Sequence, residues 1–422
     1  MGRLSAVTQH EKPRLSPAGI RDRDPGGTSV PFLDRIRAFR GFGAPTQVFE
    51  QDGIPYLVNE FWTAGQRQAH PIHEVSYRAC FKAQLPDFFI RHLTVPGEAV
   101  HDPFMGRGTT PVQAALSGRK PIGNDVNPLS LLLTRPRLAP PPLPAIMDCL
   151  RTVPWDTGAI EREDLLAFYH PDTLRRLCAL RSWLLRRAPL DNCAPDPAVD
   201  WIRMISLNRL TGHSPGFFSG RTMPPNQAVS VDAQRRINER LGTTPPPRDL
   251  PAVILKKTRS LLSGGAPGPH PQALLSVGPA DATPAVADGS VALVVTSPPF
   301  LDVVQYADDN WLRCWFAGID VDAVAIAMHR TEEAWTAMVR DVLREQARIL
   351  RPGGHVAFEV GEVRGGRILL ERLVWQAAAG LPFSREAVIV NSQAFTKTAN
   401  CWGVTNGAKG TNTNRIVLLR RM

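Results

Sequence analysis

Residues 98–125 read EAVHDPFMGRGTTPVQAALSGRKPIGND, and this stretch decides the fold. Glu98 to Asp102 is a short strand-like run, PFMGRG is a glycine-containing turn, Thr109 to Gly118 has helical spacing, and Lys120 to Asp125 reads as a second strand. Two strands joined through a helix lie parallel, so the unit predicts an α/β protein built on a parallel sheet. The point where such a strand runs into a helix is also where open α/β sheets bind nucleotides, because exposed backbone N–H groups meet an anionic ligand there.

Upstream, VFEQ and YLVNEF flank Asp52-Gly53 and predict a hairpin within Gln47 to Phe61, and Glu74 to Leu93 has a helical pattern. Downstream, regularity fades from Leu131 to about Pro271, which holds Pro140-Pro141-Pro142, an amphipathic helix expected over Asp172 to Arg187, and the proline-rich Thr243 to Pro247. Strand signals return at Ala273 to Val277 and at Val291 to Val295, the second a continuous apolar run suited to burial on both faces. A helix over Glu332 to Leu350 is expected to stop at Arg351-Pro352-Gly353-Gly354 and lead into a strand over His355 to Val360. Glu386 to Val390 and Arg415 to Leu419 are expected to close the sheet as an antiparallel pair. This gives a flexible N-terminal arm (1–45), a first part of the sheet domain (46–130), an inserted region (131–271) and a second part (272–422).

The chain has 422 residues, a formal charge of +10 and a pI near 9.7, which favours a polyanionic partner because basic side chains displace counterions from a phosphate backbone. Its six cysteines form no CxxC pair, which argues against a zinc site or a disulfide scaffold. No apolar run is long enough to span a bilayer, and the start lacks a signal-peptide stretch, so a cytoplasmic, nucleoid-associated protein without a membrane partner is expected.

In the turn, Gly106 and Gly108 let the backbone approach a ligand closely, and Asp102 is suited to take the positive amino group of a bound amino acid. The string lacks the third glycine of GxGxxG, which disfavours a dinucleotide. Asp125, ending the second strand, is placed to accept both hydroxyls of a ribose. A second motif, Thr296-Ser297-Pro298-Pro299-Phe300, follows the buried strand. Paired prolines fix the chain direction and donate no backbone hydrogen bond. Ser297 Oγ and the Pro298 carbonyl are then fixed acceptors, and Phe300 is a flat surface on which a base can stack. An exocyclic amino group has its lone pair delocalised into the ring. Two acceptors that hold its hydrogens favour a more tetrahedral nitrogen and free that pair to attack a methyl sulfonium.

These motifs resemble the amino-methyltransferases of bacterial restriction-modification systems, in which DPFxGxGT is the cofactor loop and (S/N/D)PP(Y/F/W) the catalytic tetrapeptide. The resemblance covers roughly Glu74 to Asn127 and Leu274 to Leu419. It implies a Rossmann-like fold dependent on S-adenosylmethionine, with a mostly parallel sheet ending in an antiparallel pair and an inserted target-recognition region. The implied cofactor residues are Tyr77, Phe81, Asp102, Pro103, Phe104, Met105, Gly106, Gly108, Thr109, Thr110, Asp125, Val126, Asp281 and Thr296, and the implied catalytic residues are Ser297, Pro298, Pro299 and Phe300. Gly278-Pro279-Ala280-Asp281 departs from the family's Gly-Asp. Serine in the first position of the tetrapeptide is more typical of enzymes that act on cytosine N4. The segments Ile349 to Gly354 and Thr413-Asn414-Arg415-Ile416-Val417 resemble later landmarks of the family.

The motif order assigns the inserted region to reading double-stranded DNA, with a cognate restriction endonuclease as a possible companion. The region is rich in arginine, and Asn208, Arg209, His213, Arg221, Arg235 and Arg236 are polar candidates for phosphate or base-edge contacts. Three rivals share the scaffold: an N6-adenine DNA enzyme, an RNA amino-methyltransferase, and a DNA-binding protein without catalysis. C5-cytosine chemistry needs a cysteine nucleophile, usually after proline, and no cysteine here follows a proline.

Overall fold

The computed structural model describes residues 30–63, 69–77, 80–192, 194–223, 228–268, 273–301, 306–324, 329–363, 367–392 and 413–422. Nine strands form one sheet: β1 (Gln47–Gln51), β2 (Ile54–Asn59), β3 (Ala99–Asp102), β4 (Lys120–Asp125), β5 (Leu274–Val277), β6 (Val291–Thr296), β7 (Leu350–Val360), β10 (Phe383–Ser392) and β11 (Thr413–Arg421), with a separate hairpin of β8 (Glu362–Val363) and β9 (Ile368–Leu369). The order is β1-β2-β10-β11-β7-β6-β3-β4-β5. The run from β7 to β5 is parallel throughout, and β11 is antiparallel to both of its neighbours. The chain builds outward from β3 through β4 to β5 and then returns to the other side of β3 as β6. The order therefore reverses between β3 and β6, and the crevice beyond their carboxyl ends is the expected ligand position.

The period-2 alternation of the central strands supplies both faces. Val294, Val356, Phe358, Val388 and Val417 enter one apolar cluster with Trp335, Val339 and Leu343 of helix α11 (Glu332–Ile349) and Leu370 and Val374 of α12 (Leu370–Ala377). Leu293, Val295, Ala357, Ile389 and Ile416 face the other way, against α1 (Phe32–Arg37) and α2 (Gln84–Leu93). Helix α3 (Thr109–Leu116) joins β3 to β4. A third cluster belongs to α4 (Pro128–Leu138), α5 (Leu143–Arg151), α6 (Pro171–Arg187), α7 (Pro197–Arg209), α8 (Val231–Leu241) and α9 (Leu250–Leu262). Leu312, Cys314 and Phe316 of α10 (Tyr306–Ala317) pack into that helical core. No helix among the described residues is long and apolar enough to cross a membrane.

The α/β class, the βαβ unit and the antiparallel pair of β10 and β11 are as the sequence predicts, and four details differ. The antiparallel pair is not the edge of the sheet, because β2 pairs with β10 and the hairpin adds two strands beyond it. That hairpin turns at Asp52 and Gly53, both with positive φ, as a two-residue turn matched to strand twist requires. Residues 30–45 are not a loose arm: Phe32, Ile36 and Phe39 recur at helical spacing and are buried, while residues 1–29 lie outside the described residues. Residues 74–77 and 80–83 are not helical, because side chains capture their backbone groups: Asn208 bonds Ser76 N and Glu74 O, and Arg107 bonds Val75 O and Phe81 O. Finally, β7 begins at Leu350, and Arg351 to Gly354 form an irregularity inside it, with φ +77 at Gly353 and a register shift against β6.

Candidate active site

Strands β3 and β6 are hydrogen-bonded neighbours, with Val100 opposite Leu293 and His101 opposite Val294. The two motifs therefore leave the sheet side by side, and they are bonded to each other. Thr296 Oγ1 donates to Asp102 Oδ1 at 2.7 Å, and Thr110 Oγ1 donates to the Val295 carbonyl at 3.0 Å. Asp102 is 1% exposed and also accepts the Phe104 N–H at 3.1 Å. Burial pushes its carboxyl up to about 7, and among the described residues no cationic side chain pairs with it.

The loop between them is shaped by local necessity. Gly106 and Gly108 both have positive φ, and a Cβ at Gly108 would overlap the Thr134 side chain of α4. At Gly106 a Cβ would lie 3.4 Å from Cys80 Sγ and 3.7 Å from the Tyr77 ring, so the loop passes directly under Tyr77 and Cys80. Met105 N–H is held by Asn124 O at 2.9 Å, and Met105 is buried against the place where Gly123 lacks a side chain. Asp125, at the end of β4, accepts Gly106 N–H at 2.8 Å and Asn127 N–H at 2.9 Å, which leaves lone pairs on both oxygens for another donor. Burial raises its carboxyl. Val126 is half-buried beside it. Gly278 N–H donates to Asp125 O at 2.9 Å, which brings the turn after β5 alongside, and Asp281 in that turn is exposed.

Thr109 and Thr110 are buried in the first turn of α3, and Pro103 is buried ahead of the loop. Phe104 and Phe300 both pack, half-buried, on the cluster under α11. The Pro-Pro corner is fixed by Trp335, whose indole N–H donates to the Pro299 carbonyl at 2.9 Å. Ser297 is half-exposed and follows Thr296, which pairs with Phe358, so it stands beside Glu359 at the end of β7; burial raises the Glu359 carboxyl. Asn414 Nδ2 donates to Glu359 Oε1 at 3.0 Å.

Three side chains escaped the reading of the sequence. Arg107, between the two glycines, donates to Val75 O at 2.9 Å and to Phe81 O at 3.2 Å. Arg137, wholly buried, donates to Ile72 O at 3.3 Å and to Arg107 O, and burial lowers its guanidinium to about 9. Glu359 was legible only as a lone carboxylate interrupting the apolar run His355 to Val360.

The inserted candidates separate. Asn208 is 2% exposed and spends its amide on Ser76 N and Glu74 O, so it is a structural strut and is not open to DNA. Arg209 lies 4.0 Å over the Phe217 ring, and burial lowers it to about 10. Arg235 is exposed and paired with Asp232 at 3.1 Å within its own helix. His213, Arg221 and Arg236 are exposed, and the first two line a cavity of about 240 Å³ with Ser214, Asn238, Thr244 and Arg248.

The arrangement is that of an α/β sheet whose order reverses between β3 and β6, with an acid at the end of each of β3 and β4 and a proline-fixed corner after β6. Residues 45–131, which contain the glycine loop, match the family of N6 and N4 amino-methyltransferases described as DNA methylase. A stretch of 73 residues is 40% identical to the Type II methyltransferase M.MjaII of Methanocaldococcus jannaschii. That match spans 17% of this chain and only 13% of the relative's length. Among solved structures, TrmN from Thermus thermophilus is 13% identical with a TM-score of 0.32, over 82% of this chain and 50% of that one. A Thermus thermophilus protein titled a candidate DNA modification methylase, solved with S-adenosyl-L-methionine, is 24% identical with a TM-score of 0.20, over 32% of this chain and 47% of that one. At such scores the superpositions carry nothing further about this chain.

Proposed function

We propose that the protein is an S-adenosylmethionine-dependent DNA methyltransferase that modifies an exocyclic amino nitrogen, cytosine N4 in double-stranded DNA. The observation that carries this reading is the 2.7 Å bond from Thr296 to Asp102, which joins the strand ends that lead into the glycine loop and the Ser-Pro-Pro-Phe corner and so supports a crevice shared by the two.

The crevice fits the cofactor by the chemistry of its donors. A buried acid lifted to about 7, with no cationic side chain paired to it among the described residues, is complementary to the ammonium of a methionine moiety, and Asp125 keeps lone pairs for ribose hydroxyls. The Gly106 turn offers a backbone wall under Tyr77 and Cys80. Bound there, the cofactor supplies an electrophilic methyl group on a sulfonium. Asp102 and Asp125 hold the two ends of the ligand, and Ser297 and the Pro298 carbonyl take the hydrogens of the target amino group. Phe300 stacks against the base, which must leave the duplex at a cost of a few kcal/mol. Alignment of the nitrogen accounts for about 7–11 kcal/mol of barrier lowering, so no enzyme nucleophile is needed. The helical region from α5 to α9 is assigned to DNA, with Arg221, Arg236 and His213 as its exposed contacts.

The test is methyl transfer from tritiated cofactor to plasmid duplex DNA and, separately, to total RNA, followed by nucleoside mass spectrometry. N4-methylcytosine from DNA is expected. N6-methyladenine from DNA would keep the class and move the target, whereas label in RNA alone, or no transfer, would overturn the reading.

A further inference from the structure

Two arginines of the helical region, Arg221 and Arg248, line one cavity of about 240 Å³, with His213, Ser214, Asn238 and Thr244 beside them and no acidic side chain among the described residues. Neither guanidinium has an ion-pair or hydrogen-bond partner among the described residues, and Arg248 Nε is buried. A buried guanidinium nitrogen without a partner is costly, and an anion in the cavity removes that cost. Two planar forks with hydroxyls beside them match the oxygens of a phosphate group. The walls are built in advance. Gly220 comes so close that a Cβ there would lie 3.1 Å from Pro245 Cα, which sets the 243–248 stretch against the 212–221 loop. Thr222 N–H donates to Gly212 O at 3.0 Å, Thr243 N–H to Asn238 O at 3.0 Å, and Arg248 N–H to Thr173 Oγ1 at 2.9 Å. The cavity is also tied to the helix that follows the Ser-Pro-Pro-Phe corner. Gly220 N–H donates to Phe168 O at 2.8 Å, and the Phe168 ring lies 6.0 Å from that of Trp311 on α10.

We propose that this cavity seats one phosphodiester of bound duplex DNA, gripped by Arg221 and Arg248 together, and so sets the register in which a base reaches the Ser-Pro-Pro-Phe corner. The inference rests on the DNA reading above and goes beyond it, because it adds Arg248 and makes two arginines serve one phosphate. The volume leaves room for the sugar that carries the phosphate. Such a contact fixes position and carries no sequence information, since the backbone is the same at every step.

Fluorescence anisotropy with labelled duplexes of unrelated sequence, from about 50 to about 200 mM salt, reads the seat directly. Arg248→Gln should weaken binding to every duplex by a similar factor, about tenfold at the low-salt end, and lower the slope of log affinity against log salt by about 1. Arg221→Gln should do the same. The double variant should also lower the slope by only about 1, since both arginines neutralise the same phosphate; a fall of about 2 would mean two separate phosphates and overturn the shared seat. Arg248→Lys should keep the slope, because the charge remains, and lose affinity, because the fork is gone. If Arg248→Gln does not melt cooperatively, Arg248→Lys decides: an affinity loss that vanishes in the Arg221→Gln background supports the seat, and one that persists there overturns it. A merely structural Arg248 would lower the melting temperature and leave the salt slope untouched. Calorimetric titration with inorganic phosphate separates the sources, since Arg248-dependent phosphate binding beside an unchanged DNA slope would make this a free-phosphate site and overturn the proposal. Failure of the unaltered protein to bind any duplex would refute the DNA reading and this inference with it, whereas unchanged slopes in folded variants would refute only this inference.

Discussion

The sheet and the helical region use polar residues in opposite ways. Strands β3, β4, β6 and β7 lie side by side in the sheet, and Asp102, Asp125, Ser297 and Glu359 stand at their neighbouring ends. In the helical region the conspicuous polar residues mostly serve packing. Asn208 ties down the 74–76 backbone, Arg181 lies 5.2 Å over Trp315, Arg187 lies 5.8 Å over Trp183, and Arg135 grips buried Asp200 at 2.7 Å. A long arginine stem with a flat head can fill a helix interface as an apolar residue does. A count of arginines therefore overstates the surface available to DNA, while a carboxylate at a strand end has no packing reason to be there.

The comparison can be broken most sharply where the two regions touch. Gly108→Ala should be the most damaging change, because φ +75 disfavours a side chain and the new Cβ meets Thr134 of α4. A loss of about 2–4 kcal/mol is expected by thermal melting, with Thr134→Ala in the same chain recovering part of it. Ser297→Ala should leave the fold and cofactor affinity intact and lower kcat at least a hundredfold, as kinetics beside calorimetry would show. An unchanged rate would remove Ser297 from the chemistry.

Asp102 gives a pH prediction with a definite sign. Its folded value of about 7 lies above its ordinary 3.8, so the folded protein without ligand retains a proton that the unfolded chain loses. This group therefore favours the folded state fully below about pH 4, and that contribution is lost as pH rises through about 7. Binding a cationic ammonium needs the ionised form, so cofactor affinity should rise with pH and level off above about 7. Below that it should fall by up to about tenfold per unit, with proton release on binding. Titration calorimetry at several pH values, with Asp102→Asn as a weak and pH-flat control, checks both signs. The smallest effects belong to the helical surface. Arg221→Ala and Arg236→Ala should each weaken DNA binding and lower the salt slope by about 1 without touching cofactor affinity, whereas Asn208→Ala should act through stability alone.

The sheet half was legible because its signals are local. A buried strand, a glycine turn and a Pro-Pro corner each constrain the backbone directly, and the βαβ unit sets the parallel pairing of β3 with β4. What stayed hidden depends on distant residues. The non-helical path of 74–77 and 80–83 is held by Asn208 and Arg107, and Glu359 comes beside Ser297 only once β7 lies beside β6. The role of Asn208 was misread for the same reason, since its partners lie more than a hundred residues away in the chain. Asp281 and the stretch 393–412 add nothing to this comparison, the first being exposed and the second outside the described residues.

A crystal structure with a non-reactive cofactor analogue such as sinefungin tests the shared crevice most directly. The account predicts the amino-acid end of the analogue at Asp102, its ribose at Asp125, and the amine that replaces the methyl-bearing sulfur facing Ser297 across a slot wide enough for one planar base. An analogue lodged away from β3 and β6, or one whose reactive centre faces away from Ser297, would contradict it.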